Sequence, residues 1–159
     1  MNNEQLRNLR FEWSDTSNPW HIPARHVLSL VYHQERWLVT RDYSRGIEFP
    51  GGKLEKGETL EEAVIRETWE ETGVLVKHPK YVGEFTIFAA RPFCKAVYVS
   101  TYERLKERPK KFQQETSGAI WLTTEEVMTH PEVSVHMTID ALHEVMKKVI
   151  VHDKKRWNN

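Results

Sequence analysis

The chain has a single cysteine, no long apolar run and no excess of either charge, and each absence excludes a class of protein. Cys94 has no second cysteine to pair with inside the chain, which favours a reducing compartment over a disulfide-stapled fold. No apolar run approaches the roughly 18 residues of a membrane-spanning helix, and residues 1–13 contain no apolar segment typical of a signal peptide. We therefore expect a soluble, cytoplasmic protein without a membrane partner.

The balance of charge limits the possible partners. Lys plus Arg and Asp plus Glu number 23 each, and the sequence pI is about 7.1. No global positive field is available to recruit duplex nucleic acid. A length of 159 residues suits one domain with a sizeable core. We expect a single domain over residues 1–159, with residues 1–24 and 153–159 peripheral; the oligomeric state stays unknown.

Acidic residues are concentrated in one segment. Between Lys53 and Glu71 there are seven acidic and three basic residues. Residues 59–72 contain neither Gly nor Pro and are rich in helix formers, which predicts a helix of about four turns that ends at Gly73. At about 100° per residue, Glu67, Glu70 and Glu71 project from one face of this helix. Their mutual repulsion would be relieved by Mg²⁺ or Mn²⁺, which prefer oxygen ligands.

The same segment carries a longer pattern, Gly-x5-Glu-x7-Arg-Glu-U-x-Glu-Glu-x-Gly-U, in which U is bulky and apolar. It begins at Gly52 and ends at Val74. The pattern resembles the Nudix box, and every fixed letter matches; the first U position holds Thr68, which bears on packing rather than catalysis. A solvated acidic face explains most Glu runs. The upstream Gly-x5-Glu and the turn-then-helix context favour the Nudix interpretation here.

Apolar periodicity predicts the elements around the box. Alternation predicts strands near residues 27–32, 37–41, 81–89, 93–102 and 119–122, and helical spacing predicts an amphipathic helix over residues 135–151. Residues 103–114 are interpreted as a basic loop, and residues 154–159 as a frayed tail. Strands interrupted by one helix and closed by another indicate an α/β fold with a mixed sheet between helices. This agrees with the Nudix α/β/α sandwich that the resemblance implies.

The flanks of the box are similar to the MutT branch of the Nudix superfamily and to the YtkD-like nucleoside triphosphatases of bacilli. By position, the resemblance implies a set of metal ligands: the backbone carbonyl of Gly51 and the carboxylates of Glu58, Glu67, Glu70 and Glu71. Arg66 matches the arginine that holds neighbouring carboxylates in place. Glu115, six residues before Trp121, matches a glutamate that several relatives supply from a later loop. Either Glu67 or Glu115 could take the proton from an attacking water.

Substrate contacts are also implied by position. Arg41, Arg45 and Lys53 are candidate phosphate contacts, with an ordinary surface role as the alternative for each. Glu48 and Phe49 lie where MutT-like enzymes contact the nucleobase. The MutT branch reads 8-oxoguanine with an Asn near its final helix, and residues 131–136 contain no Asn, so the preferred base stays open.

Together these features predict a Mg²⁺-dependent nucleoside triphosphate pyrophosphohydrolase that converts a (d)NTP such as dGTP or 8-oxo-dGTP to the monophosphate and pyrophosphate, and so sanitises the nucleotide pool. One alternative is removal of pyrophosphate from 5′-triphosphate RNA ends, guided by basic residues between 106 and 111. Another is a non-catalytic nucleotide sensor. The intact Glu67, Glu70 and Glu71 argue against the sensor, because a pure binder does not need the full carboxylate set.

Overall fold

The computed structural model describes residues 4–5 and 8–158, with side chains as far as Lys155. Its strands are β1 (Arg10–Ser14), β2 (Ala24–His33), β3 (Arg36–Asp42), β4 (Gly46–Glu48), β5 (Gly51–Lys53), β6 (Val74–Phe88), β7 (Phe93–Leu105) and β8 (Ile120–Leu122). Its helices are α1 (Leu60–Thr72), α2 (Lys110–Gln113), α3 (Thr124–Thr129) and α4 (Asp140–Asn158), with a 3₁₀ turn at Val135–Thr138.

The strands form a mixed sheet. Its order is β1-β6-β7-β2-β3-β4, with β5 paired to β2 and β8 paired to β3. β2 and β7 run parallel, and β2 and β3 form an antiparallel hairpin. The hairpin turn places Gln34 and Glu35 at φ values of 51° and 62°, as a two-residue type I′ turn requires. The predicted α/β class with a mixed sheet is confirmed.

Helix α1 covers one face of the sheet and begins and ends close to the predicted limits. Thr59 and Glu62 form a capping box, and Gly73 ends the helix at φ 77°. Ala63 and Val64 are fully buried against the sheet. Thr68, at the position where an aliphatic residue is usual, places its Oγ1 2.7 Å from Ser29 Oγ. Its hydroxyl therefore has a partner inside the packed interface.

Helix α4 and the 3₁₀ turn cover the opposite face. Met137, Leu142 and Met146 are almost fully buried there. The predicted helix began at residue 135, but Ile139 is extended with ψ 124° and separates the 3₁₀ turn from α4. The helix then continues to Asn158, so the tail predicted to fray from residue 154 is helical; residue 159 lies outside the described residues.

Other differences from the predicted elements are local. β1 lies within the segment predicted to be peripheral and pairs with β6, where Trp13 packs on Phe85 at 4.8 Å between ring centroids. Residues 1–3 and 6–7 of that segment are outside the described residues. β6 begins at Val74 rather than near 81, with shifts of register on the way. Of the helices described, none combines the length and apolar character needed to cross a bilayer.

Candidate active site

Arg66 lies at the centre of the acidic cluster at the end of α1. Its Nε and Nη2 donate to the two carboxylate oxygens of Glu58 at 2.7 and 2.9 Å. Its Nη1 donates to Glu67 Oε1 at 2.9 Å and to Glu70 Oε2 at 3.2 Å. The bonds from Arg66 hold the pKa of Glu58 below its usual value. The predicted role of Arg66 in orienting carboxylates agrees with these contacts.

Glu67 and Glu71 are the less well compensated carboxylates of the cluster. Glu71 Oε1 accepts a long hydrogen bond of 3.4 Å from the backbone N–H of Gly51. Burial, together with the nearby charge of Glu67, raises the pKa of Glu71 well above its usual value. Burial also raises the pKa of Glu67, although Arg66 opposes the shift. The cluster therefore holds more negative charge than Arg66 can neutralise.

This donor set fits a hard divalent cation, because carboxylate oxygens crowded in a partly buried site are stabilised by added positive charge. The side chains are not arranged around such an ion. Within the described residues, no three His, Cys, Asp or Glu side chains are placed to hold a metal, and Glu67 and Glu70 are turned toward Arg66. Binding a cation here would require these two carboxylates to give up part of their contact with Arg66.

The glycine-rich turn brings the backbone close to Glu67. A Cβ on Gly52 would lie 2.5 Å from Cδ and 2.8 Å from Oε2 of Glu67, which is closer than real Cβ contacts. Gly51 pairs with Leu28 on β2 and carries the N–H that reaches Glu71. Because the two glycines lack side chains, the backbone of the turn can lie directly against the carboxylates of Glu67 and Glu71.

The acidic cleft beside this turn has a volume of about 250 Å³. It is lined by Asp42, Arg45, Glu67, Glu70, Glu71, Phe112, Glu115 and Thr116. The structure therefore brings Glu115 to the carboxylates of α1, from the position that the resemblance indicated. Glu58 does not line this cleft; it lies behind Arg66 and is held by it.

Arg108 holds the loop that carries Glu115, and the sequence did not identify it. We interpreted residues 103–114 as a basic loop, but residues 103–105 continue β7, residues 110–113 form α2, and Arg108 is only 8% exposed. Its Nη1 donates to the carbonyls of Glu70 and Glu71 at 3.0 and 2.9 Å, and to Thr116 Oγ1 at 2.6 Å. A buried cation at the C-terminal end of α1 thus joins that helix to the Glu115 loop.

A second cleft of about 290 Å³ is lined by Gly51 and Gly52 of the turn. The predicted residues Arg45, Glu48, Phe49 and Lys53 line it, and so do His26, Lys95 and His136, which the sequence analysis did not single out. Arg45 lines both clefts and donates to Glu48 Oε1 at 2.6 Å. Arg41 lines neither cleft, because its guanidinium pairs with Glu132 at 2.8 Å.

The mixed sheet, the glycine-rich turn and the carboxylate-bearing helix are those of a Nudix fold. Residues 20–141 match the family model of the NUDIX domain, and the chain belongs to the Nudix family. Nudix hydrolases generally use divalent metal ions such as Mg²⁺.

Individual relatives agree with this family. The chain is 37% identical over 103 residues to YtkD of Bacillus subtilis strain 168, whose proposed activity is that of an 8-oxo-dGTP diphosphatase; the match covers 64% of each chain, just under two thirds. It is 34% identical over 143 residues to a MutT-like protein of Streptomyces ambofaciens, covering 88% of this chain and 89% of that protein.

A solved structure extends the agreement to the fold. The crystal structure of the Bacillus subtilis pyrophosphohydrolase BsRppH matches with a TM-score of 0.79 and 30% identity, covering 89% of this chain and 90% of that one. The family and the fold predicted from the sequence are therefore confirmed.

Proposed function

We propose that this chain is a single-domain, divalent-cation-dependent nucleoside triphosphate pyrophosphohydrolase, which converts a (d)NTP such as dGTP or 8-oxo-dGTP to the monophosphate and pyrophosphate. The observation that carries the proposal is the pair of clefts that share Arg45, one lined by the carboxylates of α1 and the other by Gly51 and Gly52. The acidic cleft suits a cation-bound polyphosphate, and the second cleft, with apolar walls, suits the nucleoside. The proposed activity of YtkD and the pyrophosphohydrolase activity of BsRppH point the same way.

Mg²⁺ or Mn²⁺ would be held by Glu67, Glu70 and Glu71, with the carbonyl of Gly51 and the carboxylate of Glu58 as further candidates. When bound, such ions neutralise charge on phosphate oxygens and lower the pKa of water. Arg66 keeps Glu67 and Glu70 beside each other at the end of α1, and its two bonds to Glu58 hold the guanidinium in place when those two carboxylates turn to the cation.

The chain also supplies a base and phosphate contacts. Glu67 accepts a hydrogen bond from Arg66, whereas the Glu115 carboxylate has no ion pair within the described part of the chain and lies in the same cleft. Glu115 is therefore the better placed to take a proton from the attacking water. Arg45 borders both clefts, and Lys53 lies at the rim of the second, so both can meet phosphate oxygens.

Product analysis in ¹⁸O-labelled water tests the proposal. With dGTP and Mg²⁺ we expect dGMP and pyrophosphate as the first products, with the label in dGMP if the α-phosphorus is attacked and in pyrophosphate if the β-phosphorus is attacked. A preparation of Glu70→Gln, purified in parallel, controls for contaminating phosphatases. Orthophosphate as the first product, with dGDP accumulating, would refute the proposal, as would the absence of turnover expected for a nucleotide sensor.

A basic and aromatic strip beside the acidic cleft supports RNA 5′ ends as a second candidate substrate. Lys106 lies 5.2 Å over the Trp69 ring, and Lys111 lies 4.9 Å over Phe112, which itself lines the cleft. Aromatic and cationic side chains along one groove bind single strands. Comparing GTP with a short 5′-triphosphate RNA separates the candidates: Lys111→Glu should slow hydrolysis of the RNA alone, and an equal effect on both substrates would count against RNA.

A further inference from the structure

Lys95 is a charged residue in an apolar row of β7. Side chains alternate between the faces of a strand, so Lys95 shares its face with Phe93 and Val97. Val97 is fully buried in the core under α4. The Lys95 side chain lies in this same layer and lines the second cleft with His136 and Leu142.

The ammonium group of Lys95 has no carboxylate partner. Glu48 is near enough to influence it electrostatically, but the Glu48 carboxylate is bonded to Arg45 at 2.6 Å. Within the described residues Lys95 forms neither an ion pair nor a side-chain hydrogen bond, and burial lowers its pKa. A charge in this partly buried position without a partner costs free energy. A ligand that accepts its hydrogen bonds would offset that cost.

The other walls of the cleft indicate what kind of ligand this is. Burial lowers the pKa of His26 and of His136 to about 4 each, so both rings are neutral near pH 7. The His26 ring packs on Phe93 at 4.7 Å between centroids, and its Nδ1 is buried without a partner. Leu28, Phe49 and Met137 contribute further apolar lining. Arg45 is engaged by Glu48 and Asp42, and Lys53 is exposed, so Lys95 is the inner donor of the cleft. Apolar and aromatic walls around that donor suit a flat heterocycle that presents acceptors.

We infer that Lys95 determines base specificity, by donating hydrogen bonds to the O6 and N7 acceptors of a guanine base. This inference rests on the proposed function, since it places the nucleoside in the second cleft. Lysine offers three donors and no acceptor. Guanine presents O6 and N7 side by side, whereas adenine replaces O6 by an amino donor that cannot pair with an ammonium.

Binding of non-hydrolysable nucleotides tests the inference without requiring turnover. The probes are the α,β-imido analogues of dGTP, dATP and 2-aminopurine deoxyribonucleoside triphosphate, measured by calorimetry with Mg²⁺. 2-Aminopurine keeps N7 and the 2-amino group but lacks O6. We expect the wild type to bind the guanine analogue at least about 10-fold more tightly than either of the others. Similar affinities for guanine and 2-aminopurine would overturn the inference, and this comparison needs no variant.

Two variants then assign the preference to Lys95. Lys95→Met should bring the guanine and 2-aminopurine affinities within about 2-fold of each other, whereas Lys95→Arg, which keeps the donors, should retain the preference for guanine. If Lys95→Met weakens all three analogues equally, Lys95 contacts phosphate and the inference is wrong. If the proposed function is wrong but the inference is right, the result differs: the wild type binds the guanine analogue selectively but releases no pyrophosphate from dGTP.

Discussion

Replacing Gly52 by Ala adds one methyl group at the point where the turn meets Glu67. The new Cβ would lie 2.5 Å from Cδ and 2.8 Å from Oε2 of Glu67, whereas ordinary contacts begin near 3.4 Å. The carboxylate must therefore move by about 1 Å. The obstacle is the end of a flexible side chain rather than backbone, so the fold can accept the methyl group by displacing Glu67.

The expected result is a loss of turnover without a loss of stability. A displacement of about 1 Å in a catalytic group can lower the rate about 100-fold, and the move also strains the 2.9 Å bond between Glu67 and Arg66. The melting temperature should change by no more than a few degrees, because no core residue is touched. Turnover is measured as pyrophosphate release from dGTP at saturating Mg²⁺, and stability by thermal melting.

Gly57→Ala is the matched control. Gly57 adopts φ 79°, and a Cβ there would meet nothing within 4 Å. Alanine in this left-handed conformation costs about 1 kcal/mol, so this variant should lose stability and keep its turnover. Wild-type turnover in Gly52→Ala would refute the argument that the Glu67 carboxylate needs the space beside Gly52. The argument would also be refuted if the loss of turnover in Gly52→Ala were no greater than the fraction of that protein that is unfolded.

Three further predictions concern other parts of the site and the core. Glu70→Gln should lower turnover at least about 100-fold and reduce the rise in melting temperature caused by millimolar Mg²⁺; equal rises in both proteins would contradict metal binding at Glu70. Arg108→Met should lower the free energy of unfolding in urea by about 3 kcal/mol, because it removes the side-chain donor to the carbonyls of Glu70 and Thr116, whereas the carbonyl of Glu71 keeps its bonds from Thr40 and Thr116; a change below about 0.5 kcal/mol would contradict the joining role of Arg108. Burial and the Glu84 carboxylate raise the pKa of Cys94 to about 12, so iodoacetamide at pH 8 should label it only after unfolding, since the thiolate is the reactive form; rapid labelling of the native protein would show that the thiol is accessible and ionised.

The carboxylate wall of the site could be predicted because its signals are local. Thr59 and Gly73 mark the ends of α1 in the sequence, and the helical repeat alone puts Glu67, Glu70 and Glu71 on one face. The Nudix box pattern also identified Arg66, immediately before Glu67, as the residue that holds these carboxylates. Nothing in that prediction depended on how distant parts of the chain meet.

The rest of the site, formed by β4, β5 and the loop that Arg108 holds, depends on contacts between residues distant in sequence. β4 and β5 have three residues each and are held by pairing with β3 and β2, so neither shows a periodicity of its own. Arg108 looked like one of several bases in a solvated run, and only the folded chain shows that its acceptors lie 37 and 38 residues away. Arg41 fits a phosphate contact by position, but the approach of Glu132 takes it out of both clefts.

The residue that we infer to read the base lies on a different element from the one that the positional analogy indicated. The search for an Asn covered residues 131–136, because that is where the MutT branch carries one, and it found none. In the structure, Lys95 of β7 and His136 of the searched segment line the same cleft. A lysine between Phe93 and Val97 is visible in the sequence as a charge in an apolar row, but an exposed face would explain it equally well. The distinction requires knowing that α4 covers this face, and α4 is remote in sequence from β7.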